Sequence, residues 1–354
     1  MTFCHKGRRS FFAASLFKTE IAAAICAAAF LLFSGCERQI HAQSEFVLGT
    51  ICSINLYEDG SAELYGKLFA RLRELNDIFN NYSDSSEISR VNREAAAAPV
   101  QVSQDFFVVL KTALDFARLT GGAFDPTVGP LVKLWGFGKS PRVPSQEEIE
   151  AAQKLVGWQC VKLEERAVRF TKSGVCLDLG AIAKGYAADC LIDILRERGV
   201  KRAAISLGGN VYVYGKKPGG SLWNVAIRNP SKPEQNAFML KTRDATVVTS
   251  GAYERFFEQD GKRYGHIINP ATGFPAKSGL ESVTIVSHNS MVADALSTSL
   301  FVLGMEKIPE IKKSALAGGF ECVLVDESGK AYASKGLKGA LSALNGQEIA
   351  FCDF

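Results

Sequence analysis

A change of rhythm near residue 200 constrains the fold more than any other feature of this 354-residue sequence. Beyond it the apolar residues come in short runs, at 203–205, 211–214, 223–228, 238–241 and 245–248, punctuated by Gly and Pro. Runs of that length and spacing predict strands joined by tight turns. Residues 282–286 predict another strand, and 322–325 with 331–333 a late hairpin. Ahead of residue 200 the period is mostly helical. Leu64, Leu68, Leu72, Leu75 and Ile78 share one side of a helix over 61–79, and 103–119 is a second amphipathic helix. Ser145 and Glu148 have the spacing of a capping box that opens a third. A β-like segment at 46–57 precedes these helices. A short strand at 175–179 leads into a helix from Gly180 to about Arg198, with Gly199 at its end. Further helices are expected over 291–303 and 308–317. Helices and antiparallel-style strands in mixed order predict an α+β fold with antiparallel-rich sheets and a sizeable core.

Apolar residues at 47% and charged residues at 22% exclude a disordered or coiled-coil chain. The net charge of +4 sits mostly at the amino terminus. Residues 1–35 carry Lys6, Arg8, Arg9 and Lys18 against Glu20, a net of +3, so the remainder carries 4 − 3 = +1. No basic excess is left to neutralise a phosphate backbone, so nucleic acid is not an expected partner. Residues 1–35 read as an export signal, with basic residues followed by an uncharged apolar run over 21–33. That run is too short to span about 30 Å of hydrocarbon. Leu32-Phe33-Ser34-Gly35-Cys36 then resembles a bacterial lipoprotein processing site, although Phe33 stands where Leu is usual. Lipidation of Cys36 would leave 36–45 as a tether and hold the body, 46–354, at a membrane surface. A signal cleaved without lipidation, and an uncleaved anchor starting upstream, are the alternatives.

Of nine cysteines, Cys4, Cys26 and Cys36 belong to the leader and its junction. The other six are scattered, with no Cys-x-x-Cys pair, and most sit in apolar runs as buried thiols do. Such spacing supports neither a zinc site nor a disulfide framework, and leaves one isolated disulfide open. Residues 180–185 have the glycines of a phosphate loop, but Lys184 precedes the second glycine and no Ser or Thr follows. No G-x-G-x-x-G, H-E-x-x-H or G-x-S-x-G occurs, so the common nucleotide folds are unsupported.

Four constellations carry chemistry. Of the four histidines, only His266 and His288 lie beyond the leader and tether. His266 stands where a β-like stretch runs into a Pro/Gly turn, a good position for a general base. A turn histidine bonding backbone is the alternative. Asp294 and Thr298 stand four apart in an otherwise apolar helix and so share a face. A buried carboxylate must be paired, hydrogen-bonded or metal-bound, and oxygen-only donors suit Mg²⁺ far better than zinc. An Asp bonding local backbone near the helix start would look the same. Asp178 ends the short strand, and Lys184 lies one turn into the helix opened by Gly180, an arrangement that attracts phosphate. A capping Asp with a solvated Lys is the rival. Finally, the Gly/Pro loop 120–130 carries Phe124 and Asp125, and the polar loop 80–90 offers Tyr82 for stacking on a planar ligand.

Taken in order, Leu48-Gly-Thr50, 82–92, 121–129, 178–186, Ser206-Leu-Gly-Gly-Asn210, Ser250-Gly-Ala-Tyr-Glu-Arg255, 266–275 and Ala293-Asp-Ala-Leu-Ser-Thr298 resemble the FAD:protein FMN transferases, the ApbE-type flavin transferases. The matching blocks cover nearly the whole chain beyond the leader. The resemblance implies a compact ApbE-like fold. It implies an enzyme that cleaves the diphosphate of FAD with Mg²⁺ and joins FMN through a phosphoester to a Thr or Ser of a target protein, releasing AMP. It implies Mg²⁺ held by Asp294, Thr298 and the Ala181 carbonyl. It implies FAD contacts from Leu48, Tyr82, Ala123, Phe124, Asp125, Asp178, Lys184 and Ile267, the last in a strand over 266–268, with His266 as the base. Leu48 stands where Met is more usual, and Asn269 where Asp is frequent. The aromatic Tyr82 is the transferase type, whereas a non-aromatic residue there would favour FAD hydrolysis. The implied acceptor is an exported or membrane redox flavoprotein. The implied location is the cell envelope, lipid-anchored on the inner membrane and facing the periplasm. An Mg²⁺-dependent FAD pyrophosphatase giving FMN and AMP, and a lipid-anchored FAD-binding protein without turnover, remain alternatives.

Overall fold

The structure is a computed structural model that describes residues 41–354, apart from Glu58, Asp59 and Gly138. Residues 1–35, read as an export signal, and Cys36 therefore lie outside the described residues. The frame is a nine-stranded sheet. Its strands are β1 (His41–Val47), β2 (Thr50–Leu56), β3 (Ala203–Leu207), β4 (Asn210–Tyr214), β5 (Ala245–Gly251), β6 (Leu280–Ser287), β7 (Glu321–Asp326), β8 (Ala331–Ser334) and β9 (Ile349–Cys352), side by side in that order. Neighbours are antiparallel as far as β8, and β9 then adds parallel to it.

The period-two alternation sorts each strand onto two faces. Cys52, Ile54 and Leu56 of β2, with Ala203, Ile205 and Leu207 of β3, point to one buried face. The helices are α1 (Ala62–Phe79), α2 (Glu87–Glu94), α3 (Gln104–Leu119), α4 (Gly129–Trp135), α5 (Gln146–Gln153), α6 (Ala183–Glu197) and α7 (Ser290–Leu303). Those faces join the apolar stripes of α1, α3, α6 and α7 in the main core. On the opposite face Val213, Val247, Val323 and Ala333 meet a three-stranded sheet formed by Trp223–Asn229, Lys232–Thr242 and Leu341–Ala343. A third cluster gathers Leu131, Trp135, Ile149 and Ile268. The α+β class expected from the sequence is the one observed.

Serine caps start the helices where expected. Ser61, Ser103 and Ser145 accept from the backbone N–H three residues on, and Ser145 with Glu148 completes the capping box. Other expectations need correction. The 46–57 segment is a hairpin, β1–β2, turning at Leu48-Gly49. Its first strand starts at His41, inside the stretch read as tether. That stretch is polar because β1 is an edge strand with much of its surface open to solvent. Residues 175–179 form no ladder strand; only Cys176 makes an isolated bridge, to Val128. The 308–317 helix is split into Ile308–Lys312 and a 3₁₀ turn at Ala315–Ala317. The polar loop 80–90 is cut short by α2, which Ser86 caps. All six cysteines of the described part are free thiols, and Cys52, Cys176 and Cys322 are buried. No helix among the described residues is long and apolar enough to cross a membrane.

Candidate active site

Helix α7 is apolar on nearly all sides and is buried between the sheet and α6, as such a helix must be. Asp294 is its one charged residue, only 4% exposed. Its Oδ2 accepts the Gly185 N–H at 2.9 Å, and the Lys184 Nζ lies 3.7 Å from the same oxygen. Lys184 also donates to the Gly180 carbonyl at 3.1 Å. The helix expected from Gly180 starts three residues later, at Ala183. Ile182 has φ −145, so the chain is not yet helical there. Residues 178–180 instead form an Asx turn in which the Asp178 Oδ1 accepts the Gly180 N–H at 2.9 Å.

This late start has a chemical consequence. With the start at Ala183 the first helical bond runs from the Tyr186 N–H to the Ile182 carbonyl at 3.1 Å, and the Gly185 N–H is left as a first-turn donor without an intrahelical partner. That donor goes to Asp294, and the Ala181 carbonyl, just ahead of the helix, accepts no hydrogen bond from the described backbone. The Gly185 N–H and the Lys184 ammonium both meet the same Asp294 oxygen, Oδ2. Thr298, one turn further along α7, lies 3.3 Å from the Ser250 hydroxyl of β5. The Ala181 carbonyl ahead of α6, with the Asp294 carboxylate and the Thr298 hydroxyl of α7, offers oxygen donors only. No group of three His, Cys, Asp or Glu side chains stands together among the described residues. One carboxylate with neutral oxygens fits Mg²⁺, which completes its shell with water and substrate phosphates. A thiol- or imidazole-seeking metal does not fit.

Gly185 makes the approach of the two helices possible. A Cβ there would lie 2.2 Å from the Ser290 carbonyl oxygen of α7. The segment leading into this turn is held without a ladder. Asn92 of α2 accepts the Leu177 N–H at 2.7 Å and donates to the Leu177 carbonyl at 3.1 Å, copying a strand neighbour with an amide side chain. Asp178 N–H donates to the Pro126 carbonyl at 2.8 Å, tying the turn to the Gly/Pro loop.

His266 follows the hairpin Phe256–Gln259 and Lys262–Gly265. The strand expected over 266–268 is absent; a bridge from Ile268 to Pro275 is all that forms, because the chain turns at 269–273. The His266 N–H and its ring Nδ1 both meet the Arg255 carbonyl, at 3.0 and 3.1 Å. A ring nitrogen facing a carbonyl must carry its proton, so Nε2 holds the lone pair. Burial, then the Arg255 charge, with a smaller push from Lys184, lower the His266 pKa to about 4 despite the bond to the Arg255 carbonyl. The ring is therefore neutral at pH 7, with Nε2 ready to accept a proton. Arg255 also donates to the Gly49 carbonyl at 3.2 Å, which brings the β1–β2 turn to the same rim. In that turn Leu48 and Gly49 both have positive φ, 55 and 69, the geometry of a type I′ hairpin. A leucine held left-handed is strained, and such strain collects at binding sites.

The remaining expected residues divide. Tyr82 is exposed, its OH 3.5 Å from the Phe137 carbonyl and its ring beneath the Lys139 ammonium at 5.4 Å. Phe137 in turn lines an open cleft of about 310 Å³ with Pro141, Glu254, Arg255, Phe256 and Phe257. Ile267 is buried beside His266. Ala123 is half-buried in the Gly/Pro loop. Two side chains serve the fold directly. Phe124 is buried against Phe116, ring centroids 6.0 Å apart. Asp125 accepts from the Thr127 N–H and hydroxyl and from the Trp158 N–H, at 2.8, 2.6 and 3.0 Å. Burial nonetheless raises the Asp125 pKa. Asn92, Ser250 and Arg255 were not singled out as site residues; each lies in a block that carries the resemblance, and only the folded chain shows its partner.

A family model described as the ApbE family matches residues 48–324. The chain belongs to the ApbE family. Among its ApbE relatives, the FAD:protein FMN transferase of Treponema pallidum is 39% identical over 288 residues, covering 75% of this chain and 80% of that protein. The solved structure of the flavin transferase ApbE from Vibrio cholerae superposes with a TM-score of 0.76 at 32% identity, covering 85% of this chain and 98% of that one. The ApbE protein of Thermotoga maritima gives 0.77 at 34% identity, with 85% and 99% covered. The fold described above is thus the ApbE fold.

Proposed function

We propose that this chain transfers FMN from FAD to a Thr or Ser hydroxyl of an acceptor flavoprotein, in a Mg²⁺-dependent reaction that releases AMP. As an ApbE enzyme it moves flavin from FAD; the metal, the acceptor group and the residue roles are our reading. One observation supports it: the buried Asp294 takes the Gly185 N–H in the first turn of α6, and the Ala181 carbonyl just ahead of that turn accepts no hydrogen bond from the described backbone. Asp294, Thr298 and the Ala181 carbonyl would hold Mg²⁺. Bound there with the diphosphate of FAD, the ion would draw off charge as the phosphoanhydride breaks.

Lys184 adds positive charge at the same place, poised to pass from Asp294 to a phosphate oxygen. Asp178 and the Leu48-Gly49 turn border the dinucleotide, and Tyr82 offers a face for a planar ring. His266 takes the proton of the acceptor hydroxyl on Nε2 while the Arg255 carbonyl holds the other ring nitrogen. The hydroxyl oxygen attacks the phosphorus on the FMN side, the new P–O bond forms, and the bond to AMP breaks. Negative charge on the bound diphosphate would raise the His266 pKa toward the working pH, which suits a general base.

We further propose that Cys36 is lipidated and tethers the enzyme to the inner membrane, facing the periplasm, within reach of exported or membrane redox flavoproteins. The leader composition supports this. The test of the reaction is incubation with FAD, Mg²⁺ and an acceptor domain, followed by in-gel flavin fluorescence and AMP assay. A fluorescent acceptor and equimolar AMP, both lost with chelator, are expected. Free FMN and AMP with an unlabelled acceptor would make the chain a pyrophosphatase. Bound FAD with no AMP would make it a binding protein.

A further inference from the structure

Helices α6 and α7 exchange carboxylates. Asp294 of α7 takes the Gly185 N–H in the first turn of α6, and Asp189 of α6 takes the first N–H groups of α7, Ser290 at 2.9 Å and Met291 at 2.8 Å. The two contacts run in antiparallel register, Gly185 and Asp189 standing four positions apart on α6 as Ser290 and Asp294 do on α7. Between them Gly185 lies against the Ser290 carbonyl with no room for a methyl group. We infer that Asp189 is a positioning residue for the metal-binding face of α7, fixing its height on α6 so that Asp294 meets Gly185 and the Ala181 carbonyl stays free. This rests on the reading that Asp294 holds Mg²⁺.

Capping alone does not account for Asp189. Helix α7 has its own cap, since Asn289 accepts the Val292 N–H at 2.8 Å. The Ser290 hydroxyl is engaged with Thr246 at 2.9 Å. What Asp189 adds is a pair of bonds that run between helices instead of within one. Burial, with a smaller push from Asp193 of α6, raises its pKa to about 6 against those two bonds and the Arg196 charge, also of α6. From the sheet, Tyr212 of β4 faces the same carboxylate. A buried charge kept ionised at a cost is poorly suited to stability alone and well suited to fixing a register.

The test uses the whole purified protein with Asp189→Asn, Ser290→Pro and Asp294→Ala. Asn keeps the shape and one acceptor oxygen. Pro is tolerated at the first helical position and removes one of the two N–H donors. Mg²⁺ is titrated calorimetrically into the FAD-loaded proteins. A tenfold or greater loss of Mg²⁺ affinity is expected for Asp189→Asn, as for residues that orient a ligand, with a smaller loss for Ser290→Pro. FAD affinity should change less than about twofold, since Asp189 orients only the metal donors. Activity of the parent should fall below about pH 6 as Asp189 protonates. Asp189→Asn should lack that limb. Parental Mg²⁺ affinity in folded Asp189→Asn and Ser290→Pro, with Asp294→Ala unable to bind, overturns the positioning role alone. Parental Mg²⁺ affinity in Asp294→Ala overturns the metal reading on which it rests.

Discussion

Replacing Gly185 by Ala tests the helix contact on which the proposed metal site depends. The added Cβ would sit 2.2 Å from the Ser290 carbonyl oxygen, 2.6 Å from its carbon and 2.7 Å from the Met291 Cα. All three are backbone atoms, so no side chain can swing aside. The helices must part by about 1 Å, an overpacking worth about 1–3 kcal/mol. That shift stretches the 2.9 Å bond from Gly185 to Asp294 beyond hydrogen-bonding range. Losing a bond to a charged group costs about 1.5–3 kcal/mol more. The better helix propensity of Ala returns about 1 kcal/mol. The net is a loss of about 2–4 kcal/mol. For a chain of this size the melting temperature should fall on the order of 5 °C. Activity of the folded protein should also fall, by about 10²-fold, because a 1 Å displacement misplaces the reacting groups. The assay is acceptor flavinylation under saturating FAD and Mg²⁺, well below both melting points. A Gly185→Ala protein that flavinylates within twofold of the parent would refute the contact's role.

His266→Ala should lower transfer about 10²–10⁴-fold while leaving FAD binding nearly intact, checked by flavin fluorescence titration beside the gel assay. In free wild-type enzyme, kcat/KM should keep a final acid limb near pH 4. Below it the ring is protonated and Nε2 has no lone pair; above it the ring is neutral. A final limb near 6.5 would mean that burial and Arg255 do not act on the ring as described. Asn92→Ala removes both bonds to Leu177 and leaves that backbone unpaired, for a loss of about 1–3 kcal/mol in denaturant titration. FAD affinity should fall with it, because Asp178 is the next residue.

The secondary structure was largely legible because its causes are local. Leucine spacing and Ser61 place α1, and short apolar runs between glycines place β3 to β5. Helix α2 was missed because its apolar side is only Ile88 and Val91 amid Asn and Ser residues that signal a loop. Residues 175–179 have a strand's composition, yet their partners are the Asn92 amide and a loop, which no local pattern announces. The Asp294–Thr298 spacing pointed to oxygen donors on one face. The bond from the Gly185 N–H to Asp294 could not be read, because it depends on contact between helices more than a hundred residues apart in sequence. The same holds for Arg255 reaching Gly49, and for the pairing of β2 with β3.

The most direct measurement is anomalous diffraction from crystals soaked with FAD and Mn²⁺, a hard cation that replaces Mg²⁺ at oxygen sites. One peak is expected, about 2.2 Å from an Asp294 carboxylate oxygen, the Thr298 hydroxyl and the Ala181 carbonyl, and touching the diphosphate. A peak held by other residues, or none with FAD bound, would contradict the account.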